Sequence, residues 1–586
     1  MNKTRYFLPV LLLANLLCMM DVSIMTIILP EIQTAFNESL TNLSWTLNVY
    51  TIVFATLIIP FGRLAERLGR NKFVFSGLLV FGLGSLLSGL ATNLPFMLVA
   101  RAVQSIGAAS IVPTSMVIGL EKSDQSTRNK VVAALAGVQG LAVALGPTIG
   151  GIVSQYFGWR WVFLINVPLV MLTLVLFTFV LPLRNEATSK AAIDWLGGAL
   201  VSMAMLFSLS LGLIEGNHWG GWQSFSIIGL LVAAVIFFIL FMILEYRQQH
   251  PMIELSLFKS RNFNGAGIAL ILCNYFLGGM AVLIPTFLTR VYGESELKAA
   301  LLITPYSIAV MFSVILTSLA VKKVNNKLLI GGGFILIGVS YYLLANLDVS
   351  PNYNELILAD IILGIGYGLV AATANILAVA DFHGGLLTAS QSVANVLRQV
   401  GMILAIAIFT SILTSNLRLS KDNTLHFAVR QTQTLAVSAA ARTRVQAKIQ
   451  QRLNPNSDSV SQTTKTVKLP QLKIANSVSA ALAQKEYQEQ LTKIAQQKGI
   501  QAALLPVAVK VKIKTLVSRA VRQKVHQKET QINTQLAKLV KRLKQHLRTQ
   551  LDQAFLHVYG SMLWLPFGAL LLLPIFKFRR KGRKAA

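Results

Sequence analysis

Gly62-Arg63-Leu64-Ala65-Glu66-Arg67-Leu68-Gly69-Arg70-Asn71-Lys72 sets five charged residues in a short segment, and the flanking runs 43–61 and 73–91 contain none. A hydrocarbon core about 30 Å thick needs roughly 20 consecutive apolar residues per helix. Each flank is therefore long enough to cross a membrane, and the charged segment joins two crossings. Working outward, similar runs recur near 7–29, 95–118, 130–154, 160–181, 195–214, 224–244, 264–289, 299–320, 328–347, 354–379, 387–414 and 559–576, making fourteen predicted spans.

Composition agrees. The chain has 586 residues, 54% hydrophobic and 13% charged, with mean hydropathy +0.60, against about a quarter charged in soluble domains. That excludes an ordinary soluble enzyme. Cys18 and Cys273 lie in apolar runs, where a thiol behaves as a small hydrophobe, so neither a disulfide framework nor a zinc site follows. The first run contains Asp21 and has no small-residue cleavage site, which reads as a retained span and not a signal peptide.

Charge sets the expected orientation. With a cytoplasmic N-terminus, the short inner segments carry Arg63, Arg67, Arg70, Lys72, Lys322, Lys323 and the tail Lys577 to Lys584, while the short outer loops hold only Arg160, Arg290 and Lys298. This is the positive-inside pattern, and it predicts a multi-pass cell-membrane protein with both termini cytoplasmic. Residues 416–558 add 25 Lys and Arg against 6 Asp and Glu on the outer side, where long translocated domains escape the rule. The high net charge therefore comes largely from this insertion and does not imply nucleic acid.

Two halves of the chain echo each other. Leu98 to Gly107 can be laid on Ile357 to Gly366 with alanine, isoleucine and glycine in register, which sets Asp360 where Arg101 stands. Such internal symmetry is a transporter trait.

At this point a resemblance becomes specific. Gly62, Leu64, Ala65, Glu66, Arg67, Gly69, Arg70 and Lys72 resemble the cytoplasmic signature of the major facilitator superfamily, with Glu66 in place of the usual aspartate. In that family the loop latches one conformation; the plainer reading is an ordinary positive-inside loop. Gly140, Gly146, Pro147, Gly150 and Gly151 resemble the antiporter signature of the fifth span, the alternative being close helix packing alone. Further similar features are Asp21 through Pro30, Trp161, Phe163, Asn166, Pro168, Asp194-Trp195-Leu196-Gly197, Asn395, Arg398, Gln399 and Gly401. Ser105 departs from the family's glycine.

The resemblance is to the fourteen-helix drug:proton antiporter branch. It implies an all-α polytopic membrane protein: an N-terminal six-helix bundle (1–185), two inserted helices (186–262), C-terminal bundle helices (263–415), a basic extracytoplasmic domain (416–558), and a last helix with a basic tail (559–586). It also implies that Arg398 is a structural donor to unwound backbone, with Asn395 beside it.

Ionisable side chains at mid-bilayer depth are costly and are functional candidates by default. Asp21, Arg101 and Asp360 are the main ones. Asp21 is expected to carry the coupling proton, with Arg101 tuning its affinity; the competing reading is a structural ion pair. Asp360 is either a second substrate or proton carboxylate or a residue of the wet outer rim. Met19, Met20, Met25, Trp45, Tyr50, Tyr275, Phe276, Met280 and Tyr306 could line an adaptable pocket, whereas Glu31, Glu215, Glu294 and Glu355 fall at helix ends and read as solvated.

Within the insertion, Val507 to Lys514 alternates with period two and predicts a strand. Val525, Ile532, Leu536, Leu539, Leu543, Leu547 and Leu551 then keep helical spacing. Its charge suits anionic wall polymer or lipid headgroups; a solvated cap is the alternative. The function expected is proton-coupled efflux of lipophilic, cationic compounds by a monomer needing no cofactor beyond the proton gradient. The alternatives are a lipid or glycolipid flippase, or a receptor or scaffold displaying the basic domain.

Overall fold

A computed structural model describes residues 4–38, 40–124, 127–184, 186, 188, 199–216, 219, 221–248, 251, 253–321, 323–348, 352–382, 385–433, 439–452, 476–497, 501–502 and 505–576. Asp194 to Gly197 and the tail Lys577 to Lys584 lie outside the described residues, as does Lys322. Among the described residues every regular element is helical. In hydrocarbon each backbone N–H and C=O must be satisfied within the segment, which a helix does alone.

The helices are α1 (Thr4–Phe36), α2 (Leu40–Leu68), α3 (Arg70–Gly89), α4 (Leu94–Glu121), α5 (Arg128–Phe157), α6 (Trp159–Leu164), α7 (Asn166–Val180), α8 (Leu200–Glu215), α9 (Phe225–Arg247), α10 (Arg261–Thr286), α11 (Glu296–Ala320), α12 (Asn326–Ala345), α13 (Asn354–Ala380), α14 (Gly385–Gln433), α15 (Ala439–Arg452), α16 (Asn476–Gln497), α17 (Val507–Met562) and α18 (Trp564–Gly568). A 3₁₀ turn, Ala569–Ile575, follows. Among the described residues twelve helical stretches are long and apolar enough to cross a membrane, and bent α5 makes thirteen. The shorter α8, of 16 residues, covers the described part of the remaining predicted span.

The α5 bend is 41°, between Ala142 and Leu145. Pro147 explains it, because its ring removes an amide donor and crowds the carbonyl one turn earlier.

The internal repeat is real in three dimensions. Gly107 of α4 faces α3, where a Cβ would come 2.6 Å from the Gly77 carbonyl and collide with the Phe81 amide. Gly366 of α13 faces α12 in the same way, 2.8 Å from the Gly333 carbonyl and 3.0 Å from the Ile337 amide. Each glycine thus meets two backbone groups four residues apart, the close approach that small residues permit between membrane helices.

The chain folds as two compact units. One comprises residues 1–416 and 554–586; the other is Leu417–Gln553. In the second, Val507 to Lys514 opens helix α17, and the expected strand is absent. Its alternation spans only eight residues, whereas Ile513, Val517 and Val521 repeat every four and are all buried. They form one cluster, against which Ala483 and Tyr487 of α16 pack. Burying that helical stripe outweighs the weaker strand propensity of the valines.

Candidate functional site

Asp21 and Arg101 meet. The α4 span presents Arg101 to α1, where its Nη1 donates to Asp21 Oδ2 in an ion pair 0% and 3% exposed on the two sides. Arg101 Nη1 also donates to Gln104 Oε1 at 2.7 Å and its Nε to the Thr46 carbonyl at 3.3 Å. The guanidinium lies 4.5 Å from the centroid of the Tyr50 ring and 5.7 Å from that of Phe163. Asp21 Oδ1 accepts from Gln104 Nε2 at 2.8 Å and from Asn166 Nδ2 at 3.5 Å. Ser85 closes the network, accepting from Gln104 and Asn166 and donating to the Phe163 carbonyl.

A buried ion pair is tolerated only when its remaining hydrogen-bonding capacity is met. Here α1, α2, α3, α4 and α7 each supply a group to the network, while Arg101 Nη2 is left without a hydrogen-bond partner among the described residues. Ser105 fits by donating to the Tyr50 carbonyl at 2.6 Å, which ties α4 to α2.

The antiporter-like glycines of α5 pack on the α1 residues that flank Asp21 in sequence. Gly146 faces α1 so closely that a Cβ would overlap the Ser23 hydroxyl, and one on Gly150 would come 2.8 Å from Ile24. Ser23 donates to the Ala142 carbonyl of α5 at 3.2 Å. Pro147 and Gly151 are buried with them. The same helix touches the other half of the chain: Gly140 would place a Cβ 2.8 Å from Val310 of α11, and Thr148 and Thr304 share a 2.8 Å hydrogen bond.

A second polar chain crosses between the halves. Arg398 of α14 donates to Gln139 Oε1 of α5 at 2.7 Å and to Asn395, and Gln139 donates to Asn15 of α1 at 3.2 Å. Arg398 is thus seen bonded to side-chain amides, where the resemblance implied unwound backbone. The sequence reading passed over Gln104, Asn15 and Gln139. The available signal was an amide inside an apolar span, a group that needs a partner in hydrocarbon.

The signature loop also closes as a unit. Glu66 pairs with Arg63 at 3.0 Å and Arg70 at 3.4 Å, and Arg70 reaches Glu121 at the end of α4. Arg67 is exposed. Gly69 has φ +99°, and a Cβ there would press on the Glu186 carboxylate, which accepts the first amides of α3, Asn71 at 2.8 Å and Lys72 at 3.0 Å. A carboxylate is favoured at that positive helix end. Gly62 meets Ser392 of α14, where a Cβ would lie 2.9 Å from its hydroxyl. α2 of the first half and α14 of the second are thus in close contact at Gly62 and Ser392.

Asp360 does not join these networks. It is wholly buried on α13. Of the aromatic candidates, Tyr50 sits on Arg101, while Tyr275 and Phe276 pack with Tyr341 and Phe409. Glu215 is 2% exposed and accepts from Asn48 at 3.1 Å. It is therefore not solvated, because α8 packs on α2 and covers it.

The sequence profile of the Major Facilitator Superfamily matches residues 11–406. The chain belongs to that superfamily. Its region of match includes Asp21, the signature loop, the α5 glycines and Arg398, and stops before the Leu417–Gln553 unit. This superfamily member is 29% identical over 415 residues to Multidrug resistance protein 3 of Bacillus subtilis, covering 70% of this chain and 80% of that protein. It is 30% identical over 415 residues to the Lincomycin resistance protein of Streptomyces lincolnensis, with 70% and 84% covered. Identity to the Methylenomycin A resistance protein of Bacillus subtilis is 30% over 409 residues, with 68% and 86% covered. As a member of a transporter superfamily with a dozen or more apolar helices, it is a multi-pass membrane protein.

Proposed function

We propose that this chain is a proton-coupled efflux antiporter that exports lipophilic, cationic compounds by alternating access, using the proton gradient and no cofactor. The observation that carries the reading is the buried Asp21–Arg101 pair, carried on the stretch of α1 whose Ser23 and Ile24 pack on the bent, glycine-rich helix that also meets the other half. Relatives named for multidrug, lincomycin and methylenomycin A resistance support drug efflux.

In the conformation described, Asp21 is paired with Arg101 and shielded from water, so proton exchange requires the pair to open. Rocking of the halves slides α5 on α11 and loosens the α1 turn held by Gly146 and Gly150. Asp21 then meets water and takes up a proton, while Gln104 Oε1, the Thr46 carbonyl and the Tyr50 face retain Arg101. Without those substitutes, a buried unpaired guanidinium would cost several kcal/mol. A cationic substrate that favours the ionised carboxylate displaces the proton, so the two ligands bind in exchange. The signature loop, in contact with Ser392, gates the cytoplasmic side.

The second unit carries exposed Lys512, Lys514, Arg519, Arg522, Lys524 and Lys528 on α17. It is read as extracellular and as meeting anionic wall polymer or lipid headgroups; binding that vanishes in high salt would support this, and no binding at low salt would remove it.

The antiporter reading is tested with the purified full-length chain in weak buffer. Binding of tetraphenylphosphonium should release protons, and Asp21→Asn should release fewer. Equal release from the variant would sink the assignment of Asp21.

A further inference from the structure

Asp360 is fully buried, and neither carboxyl oxygen has a hydrogen-bond partner or an ion-pair partner among the described residues. Two other buried groups share that condition on nearby helices: the hydroxyls of Tyr306 on α11 and Tyr559 on α17. Their side chains are 2% and 1% exposed. Three orphaned polar groups thus lie on three helices of one part of the C-terminal bundle.

The local packing brings these helices together. Gly364, one turn after Asp360, lets α11 approach until a Cβ would collide with the Tyr306 carbonyl. On the other side, Ser340 of α12 donates to the Ala359 carbonyl at 2.7 Å, fixing α12 beside Asp360. Tyr559 is held by the rings of Tyr341 and Phe409, at 5.4 and 6.4 Å.

Among the described residues no cation pairs with Asp360: Arg398 of α14 is committed to Gln139 and Asn395, and on α13 itself the Tyr367 hydroxyl donates to Asn274 at 3.4 Å. From α12 comes Tyr341, whose hydroxyl is committed to the Phe276 carbonyl at 2.9 Å; from α10 come Cys273 and Tyr275. The titratable groups of α5 lie only in its end turns, at Arg128, Lys130 and Tyr156. An isolated carboxylate in such a place is far costlier than the neutral acid, so the group resolves the conflict by taking up a proton. The contrast with the other half is direct, since Asp21 has an arginine and two amides and Asp360 has none.

We propose that Asp360, flanked by Tyr306 and Tyr559, is a second proton-binding site, set in the C-terminal bundle and loaded in this conformation. The step is one proton added to one carboxylate oxygen, with no other bond changed. Neither tyrosine hydroxyl is within hydrogen-bonding distance of the carboxyl here. Each stands ready to donate to the carboxylate when the helices part and the proton leaves. The role of this site in transport rests on the antiporter reading, but the loaded acid does not, so it can be read without any substrate.

The experiment is infrared difference spectroscopy of the full-length chain in lipid at neutral pH, following the carbonyl stretch of a protonated carboxylic acid. The band should be present in wild type, absent in Asp360→Asn, displaced in Asp360→Glu and retained in Asp21→Asn. In deuterated buffer it should shift, and more slowly when Tyr306→Phe and Tyr559→Phe are combined. A spectrum unchanged by both Asp360 variants means an ionised group and overturns the proposal. A band that never shifts in deuterated buffer marks a sealed acid with no proton traffic and overturns it equally. Equal exchange with and without the two hydroxyls removes the tyrosines from the site.

Discussion

Gly146 of α5 and Ser23 of α1 are in such close contact that any side chain at 146 would overlap the serine hydroxyl, two residues from Asp21. The antiporter-like glycine thereby sets the distance between the bent helix and the proposed coupling carboxylate. Gly146→Ala must push α1 outward or distort α5, and overpacking of this kind costs about 1–3 kcal/mol. Lowered thermal stability and strongly reduced transport are expected, measured by unfolding in detergent and by dye efflux. Wild-type values for both would show that the contact yields without consequence.

At Gly140 the neighbour is a single side-chain methyl, Val310 Cγ1 at 2.8 Å from the Cβ position. Gly140→Ala should therefore be destabilising, and Val310→Ala should rescue it when the two are combined. Unfolding temperatures of the two single variants and the double variant check this; additive losses would contradict it.

Removing one partner of the buried pair leaves a charge without compensation, typically a loss of about 3–5 kcal/mol. Arg101→Gln should accordingly destabilise more than Asp21→Asn combined with Arg101→Gln. A double variant worse than Arg101→Gln alone would mean that Asp21 and Arg101 do not stabilise each other as a pair.

Outside the spans, Glu294 accepts from Lys298 Nζ at 2.9 Å and from the Tyr353 hydroxyl at 2.7 Å. These hydrogen bonds, with the Lys298 charge, hold its carboxyl below the usual value of 4.5. A lowered folded-state value means stability that is present above the unfolded value and lost as pH falls through the folded one. Hydrogen exchange at the start of α11 should rise on acidification below 4.5 in wild type. In Glu294→Gln it should be pH-independent over that window, once intrinsic exchange is corrected for.

The spans were legible because apolar runs of bilayer length have few other uses, and Asp21 and Arg101 stood out as charges within them. Gln104 did not, since an amide three residues from an arginine looks unremarkable until both are seen on Asp21. The Arg398–Gln139–Asn15 chain joins residues 259 and 124 positions apart, and no local pattern records that contact. Glu215 looked solvated because it ends a span, and only the docking of α8 on α2 buries it. The Val507–Lys514 misreading has the opposite cause: a local alternation was clear, but the i+4 stripe of Ile513, Val517 and Val521 decided the fold.

The most direct test of the coupling assignment is tetraphenylphosphonium flux in proteoliposomes, with and without an imposed pH gradient, for wild type and Asp21→Asn. Wild type should be accelerated by the gradient and able to concentrate the cation against its own gradient. The variant should show the same downhill flux in both conditions. Gradient-driven accumulation by Asp21→Asn at the wild-type level would contradict the account.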